Sequence, residues 1–179
     1  MPKQRHFGKI YRAFATKDAI KNEKKLAFLK NNKKYMLSVK KQKLDQHYFS
    51  FLLCEEEKNV ASLFFVMDEK EKTITIENLK AEYPGKRFGC FLLYHMCLFL
   101  LSDFPHLTWI HLDDCTGISP PKNIYFKLGF QVKDEKENKK FCSWKTWIKK
   151  YQKKKQNPSE ERRIEVKKLL CHVKKFLQM

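Results

Sequence analysis

The fourteen residues from Phe88 to Leu101, FGCFLLYHMCLFLL, carry no formal charge. Such a run must be taken out of water on nearly every side. It falls short of the roughly 20 residues that a membrane-spanning helix needs. Lys86 and Arg87 precede it, and Asp103 and Pro105 stop it soon after. The stretch therefore predicts a core helix covered on most sides.

The segments around it predict what does the covering. Tyr48–Cys54 and Val60–Met67 are apolar runs separated by EEEKN, which reads as a β-hairpin with a charged loop. After the turn DEKEK, Thr73–Leu79 alternates, with Ile74 and Ile76 on one face and Thr73, Thr75 and Glu77 on the other. Three strands joined by short loops make an antiparallel meander. Beyond the apolar helix, Leu107–Asp113 (LTWIHLD) returns as a strand. Strand, helix and strand form a crossover, so the two strands are expected parallel and buried.

The remaining segments are less marked. Residues 8–15 read as a first strand, followed by a helix capped by Thr16 or Asp18 with Ile20, Leu26, Phe28 and Leu29 on its apolar side. Tyr35–Val39 fits either class. A short helix is expected over Lys122–Leu128, ended by Gly129, then a strand over Phe130–Lys133 and an aromatic strand over Phe141–Trp147. Lys149–Lys155 reads as a linker. From Asn157-Pro158-Ser159-Glu160 a basic amphipathic helix is expected nearly to the end, with Val166, Leu169, Leu170, Val173, Phe176 and Leu177 as its stripe. Three uses are open for it: docking on the domain, lying on a membrane or in a partner's groove, or gripping nucleic-acid backbone.

The chain has 38 Lys+Arg against 20 Asp+Glu, a formal charge of +18. That excess predicts either a solubilising surface or attraction to an acidic protein or nucleic acid. Six cysteines occur without any C-x-x-C pair, and the N-terminus MPKQRHFGK is polar, which predicts reduced thiols and an intracellular location, cytoplasm or nucleus. No Cys/His spacing suits a metal, so none is expected. Cys115 reads as a small buried residue rather than a nucleophile.

The connection Pro84-Gly85-Lys86-Arg87-Phe88-Gly89 carries the most chemistry. Glycine admits close approach of a ligand, and the opening amides of a helix lack internal partners, so an anion is held well there. Lys86 and Arg87 add positive charge, or are solvated first-turn residues. The stretches ENLKAEYPGKRFGCFLL and NIYFKLGFQV, in this order and spacing of strands, resemble the GNAT superfamily of N-acetyltransferases over roughly residues 8–147.

That resemblance implies an α/β fold: a GNAT-like mixed sheet, antiparallel meander plus parallel β-α-β crossover, flanked by helices, with a C-terminal basic helix. It divides the chain into an acyltransferase domain, 1–148, and a basic linker and helix, 149–179. It implies acetyl-CoA as acyl donor, its pyrophosphate on Gly85, Lys86, Arg87, Phe88, Gly89 and Cys90, and its pantetheine along the strand end at Leu79, Lys80 and Ala81. An amine attacks the thioester directly, its carbonyl polarised by backbone N–H near Leu79 or Lys80. Tyr125 matches the tyrosine that protonates the departing thiolate; as an aromatic residue of an amphipathic helix it reads equally as core packing. Glu77 fits a base acting through water by position only, and is otherwise an exposed strand residue. At the three defining loop positions stand Pro84, Arg87 and Gly89, of which only the last keeps the usual residue. Pro120-Pro121 stands where a polar, Asn-containing helix start is common. The altered loop leaves an alternative open: a catalytically inactive GNAT-like scaffold that binds a protein or nucleic-acid partner through its basic surface. The acceptor is a protein terminus, lysine, polyamine or small metabolite, and net charge alone favours an acidic one.

Overall fold

The structure, a computed structural model, describes residues 14–15, 23–30, 33–41, 47–83, 85–118, 122–134, 140–151 and 159–178. In chain order the first elements are β1 (Phe14–Ala15), β2 (Glu23–Lys30), β3 (Lys33–Lys41), β4 (Tyr48–Glu55), β5 (Lys58–Asp68) and β6 (Thr73–Ala81). Next come α1 (Phe88–Asp103), β7 (Trp109–Asp113), α2 (Ile124–Lys127), β8 (Gln131–Asp134), β9 (Lys140–Cys142) and α3 (Trp144–Tyr151). The chain closes with β10 (Glu161–Glu165) and α4 (Val166–Leu177). The described strands form one sheet in the order β1-β2-β3-β4-β5-β6-β7-β10-β8-β9.

β1 to β6 are successive antiparallel neighbours, and β4 to β6 are the three-stranded meander expected. The β4–β5 turn is held by Glu56 and Glu57, both at positive φ (48° and 71°), which is the backbone a two-residue hairpin turn needs. At the next turn the Asp68 carboxylate accepts from the N–H groups of Lys70 and Glu71, each at 3.0 Å. β6 then pairs parallel to β7 through the α1 crossover, Thr73 opposite Trp109 and Ile76 opposite Leu112. This is the mixed sheet expected, antiparallel first and parallel at the crossover.

One apolar core joins the sheet to α1. Leu37, Phe51, Leu63, Phe65, Ile74, Ile110 and Leu112 face Phe91, Leu92, Met96 and Leu100. α4 packs against α1 and β10, with Val166, Leu169, Val173 and Leu177 buried in the same core. A smaller cluster of Val132, Trp144, Trp147 and Tyr151 seats α3, where the Tyr151 hydroxyl donates to both Asp134 oxygens at 2.8 and 3.0 Å. Among the described residues no helix is long and apolar enough to cross a membrane.

Several expectations are corrected, and one open segment is decided. Leu26, Phe28 and Leu29 lie in strand β2, not in a helix; Thr16, Asp18 and Ile20 fall outside the described residues. The ambiguous Tyr35–Val39 is strand β3. The aromatic strand ends at Cys142: Ser143 accepts from the Thr146 N–H (3.2 Å) and opens α3, which takes in Trp144, Trp147 and the start of the supposed linker.

The largest correction concerns the tail, where 161–165 is a strand rather than the first turns of a helix. β10 lies inside the sheet, antiparallel to β7 from Glu161–Asp113 to Glu165–Trp109 and antiparallel to β8 at Arg162–Val132. Without it β7 and β8 would each carry an open row of backbone donors and acceptors, so sheet pairing outweighs local helix propensity. The segment 159–178 thus supplies an interior strand and a covering helix of the sheet. Asn157 and Pro158 fall outside the described residues.

Candidate active site

The candidate site begins at a fault in β6. Phe64 pairs with Asn78 and Phe65 with Ile76, so Glu77 is the extra residue of a β-bulge. The alternation of burial breaks at the same point, leaving Glu77 and Asn78 both exposed. Pairing with β7 stops there too, at Ile76 opposite Leu112. Beyond it β6 keeps β5 on one side and has lost β7 on the other.

The ladder with β5 decides which backbone groups face that gap. The Glu82 N–H donates to the Val60 carbonyl at 3.0 Å, and antiparallel pairs alternate. Lys80, opposite Ser62, is therefore turned to β5, whereas Leu79 and Ala81 point their N–H and C=O away from it. Of the two residues expected to offer an N–H, the alternation selects Leu79. Lys80 extends into solvent and pairs with Glu82 at 3.0 Å.

The connection to α1 follows at once. Gly85 has φ of 78° and open space around it, a conformation that glycine adopts without strain. Arg87, the residue before the first helical turn, also has positive φ (62°) and makes no side-chain cap. Glycine adopts this backbone shape freely, whereas an arginine holds it at about 1–2 kcal/mol of strain. Its guanidinium donates to the carbonyl of Phe176, near the end of α4, at 2.7 Å and lies 5.2 Å from the Phe176 ring centre. Lys86 is exposed. Phe88 is buried beside Tyr35, with ring centres 5.8 Å apart, and a Cβ on Gly89 would stand 3.8 Å from Leu79. Burial pushes the Cys90 thiol up to about 11, so it stays protonated.

Tyr125 sits in α2, just after β7, half-buried and packed against Phe130 with ring centres 5.5 Å apart. Its hydroxyl has no hydrogen-bond partner among the described residues. Burial, with Asp114 and Cys115 close by, pushes its phenol up to about 12.

Asp114, Asn123 and Arg162 hold α2 in place, and none of the three was anticipated. The Asn123 carbonyl oxygen caps α2 by accepting from the N–H groups of Tyr125 (2.8 Å) and Phe126 (3.1 Å). Its amide donates to the Asp114 carboxylate at 2.7 Å and to the Ile118 carbonyl at 2.8 Å. Asp114 also accepts from Thr116 (2.6 Å) and forms a buried ion pair with Arg162 at 3.3 Å. Asn123 directly before an apolar helical run is a readable cap signal. Asp114 and Arg162 lie 48 residues apart and offer no local signal. Cys115, expected to be buried, is exposed, its sulfur 3.9 Å from a Glu160 oxygen.

The bulge and the gap thus lie at the C-terminal ends of β6 and β7, with the α1 start beside Leu79, while Tyr125 lies near Asp114, the residue that follows β7. A cavity of about 400 Å³ lies elsewhere, lined by Lys34, Tyr35, Met36, Cys54, Glu56 and Glu57, and shares none of these residues.

No family model matches the sequence, and no curated protein is similar to it. Solved structures with a similar course of chain include GCN5 of Tetrahymena (12% identity over 68% of this chain and 70% of that one, TM-score 0.46). Another is the ribosomal-protein-S18-alanine N-acetyltransferase of Escherichia coli (14%, 68% and 71%, TM-score 0.48). A third is a chimeric spermidine N-acetyltransferase of Vibrio cholerae (15%, 72% of each chain, TM-score 0.46). Identities and scores this low assign no activity. What the strand order and pairing themselves give is the architecture that the sequence predicts, a mixed sheet with one parallel crossover and flanking helices.

Proposed function

We propose that this chain is a member of the GNAT superfamily and an acetyl-CoA-dependent N-acetyltransferase that moves an acetyl group to an amine by direct attack. One observation carries the reading: the Glu77 bulge coincides with the parting of β6 from β7, which leaves the Leu79 and Ala81 backbone facing a gap. The residues at the α1 start fit the donor, since Gly85 leaves open space and the first amides of α1 lack intrahelical acceptors.

Acetyl-CoA would supply the acyl group as a thioester. The Leu79 and Ala81 backbone would pair with the extended part of the donor along the gap, and the Leu79 N–H would polarise the carbonyl. Glu77, exposed at the bulge, would take the amine's proton through water. Tyr125, its phenol near 12, stays protonated at neutral pH. Full transfer to a thiolate of ordinary pKa about 8.5 would be uphill by roughly 5 kcal/mol, so its role is to donate a hydrogen bond to the leaving sulfur. Glu77 and Asp113 are the next residues on each strand after the last β6–β7 pair, and both are exposed. This local acidity suits a cationic amine better than the acidic acceptor that net charge alone suggests.

A specific contact favours the second reading, a scaffold that has given up catalysis. Arg87 is occupied with the Phe176 carbonyl, which brings the electronegative end of α4 toward the α1 start that would hold phosphate. Calorimetric titration with acetyl-CoA, native beside Arg87→Gly, separates the two. Saturable one-site binding by the native chain, with acetyl transfer to amines falling at least tenfold in Tyr125→Phe, supports the enzyme. Binding by Arg87→Gly alone supports the retired site. Absence of binding by both removes the cofactor reading.

A further inference from the structure

Three tyrosine hydroxyls set a contrast. Tyr151 donates to both Asp134 oxygens, and the Tyr83 hydroxyl accepts from Lys58 at 3.0 Å. Tyr125 is half-buried, yet its hydroxyl has no partner among the described residues. Asp114 lies close enough to act on the phenol electrostatically, but its carboxylate is taken up by Thr116, Asn123 and Arg162. A half-buried hydroxyl left unused calls for a reason.

The rest of Tyr125 is held. Its N–H donates to the Asn123 side-chain oxygen at 2.8 Å, and its C=O accepts from the Phe130 N–H at 3.0 Å. Its ring packs edge-on against Phe130. The backbone is thus anchored on both sides of the Tyr125 Cα, within a helix of four residues. One turn of helix has too few internal bonds to set its own direction, so that direction comes from outside.

Asn123 supplies it. The residue is 1% exposed, and its side chain makes four hydrogen bonds, the full number open to an amide. Two come from the Tyr125 and Phe126 N–H groups, and two go to Asp114 and Ile118. An amide engaged at both ends cannot rotate without breaking a buried bond. Asp114 is the second residue past the last β6–β7 pair, Ile76 with Leu112. Arg162 ties the same carboxylate to β10. The direction of α2 is thereby referred, through two buried side chains, to the end of β7 where the gap opens.

We propose that Asn123 is a positioning residue for acetyl transfer, holding the Tyr125 backbone so that the unused hydroxyl meets the leaving sulfur. The proposal rests on the acetyltransferase reading. In that step the bond from nitrogen to the carbonyl carbon forms, and the carbon–sulfur bond breaks with its electron pair on sulfur. The amine's proton goes to Glu77 through water, and Tyr125 donates a hydrogen bond to the thiolate while keeping its own proton. A cap that serves stability alone would act whether or not residue 125 carries a hydroxyl, and this separates the two roles.

The test is a double-mutant cycle on the full chain, read as release of CoA thiol from acetyl-CoA with butylamine, a simple cationic amine, and with water alone. The sulfur leaves whatever the acceptor, so both reactions report on Tyr125. In Asn123→Ala, kcat is expected to fall at least about tenfold while KM for acetyl-CoA stays within about threefold of native. On the Tyr125→Phe background the same substitution is expected to cost less than about twofold. Asn123→Ser keeps an oxygen for the α2 amides and is expected to recover most of the loss. If circular dichroism shows Asn123→Ala melting below the assay temperature, the cycle is run with Asn123→Ser, whose smaller loss is again expected to vanish beside Tyr125→Phe. Two results overturn the proposal while leaving the acetyltransferase reading intact: native kcat in the Asn123 variants, or a loss as large on the Tyr125→Phe background as on the native one. Absence of thiol release by the native chain, with butylamine and with water, overturns that reading and the proposal with it.

Discussion

α1 and α4 lie side by side and are made in opposite ways. α1 carries no charge between Phe88 and Leu101 and presents buried residues around most of its circumference. α4 is apolar along one stripe and cationic over the rest. The first needs apolar neighbours on more sides than the sheet alone supplies. The second has one face to lose, and it buries that face in the same core, packed against α1 and β10. The pair shows that a nearly all-apolar helix calls for a further packing element, which here comes from the far end of the chain.

If α4 and β10 complete the core rather than decorate it, removing them should have the largest effect. A chain ending at Tyr151 loses an interior strand and five core side chains, Ile164, Val166, Leu169, Val173 and Leu177. It is expected to show no cooperative thermal transition and to expose apolar surface to a hydrophobic dye. A sharp transition near that of the full chain would break the comparison.

The next effect tests how β10 is anchored. Asp114 and Arg162 are 6% and 3% exposed, and Arg162 also donates to the Ser159 carbonyl and lies over the Trp144 ring at 4.7 Å. Asp114→Ala leaves a guanidinium buried without its partner, at about 3–5 kcal/mol measured by urea denaturation. A loss below about 1 kcal/mol would mean that β10 is held by backbone pairing alone.

The smallest effect concerns α1 itself. His95 packs on Phe91, ring centres 4.4 Å apart, and burial pulls its imidazole down to about 4 from the ordinary 6.5. Between these values the unfolded chain holds a proton that the folded chain does not. Stability is therefore complete above about 6.5 and falls as pH drops toward 4, by at most about 3 kcal/mol. The difference between native and His95→Leu in denaturation midpoints, followed from pH 7 to pH 4, should reproduce this window. A pH-independent difference would mean that His95 is not enclosed as strongly as its neighbours on α1.

Much of the architecture was legible because it is written in local periodicity. Alternation in Thr73–Glu77, apolar runs split by charged turns, and the uncharged stretch after Lys86-Arg87 each specify one element. The turn glycine at residue 85 and the strand–helix–strand order were readable for the same reason. Arg87 was recognised as standing where a glycine is usual, but its left-handed backbone and its reach to Phe176 were not readable. A contact across 89 residues leaves no trace in the pattern around either end.

The tail divides along the same line. Its apolar stripe from Val166 onward was readable as helical spacing, and its burial against α1 is what such a stripe seeks. Residues 161–165, Glu-Arg-Arg-Ile-Glu, have the composition of a solvated helix turn, yet they form a central strand. What decides it is the pair of open edges on β7 and β8, together with a carboxylate at Asp114 that takes up Arg162. Local sequence thus determined which segments had to leave water and with what period. Only the tertiary structure decided which distant segment would satisfy their backbone and pack against them, because those groups accept any partner of the right geometry and the sequence does not say which one arrives.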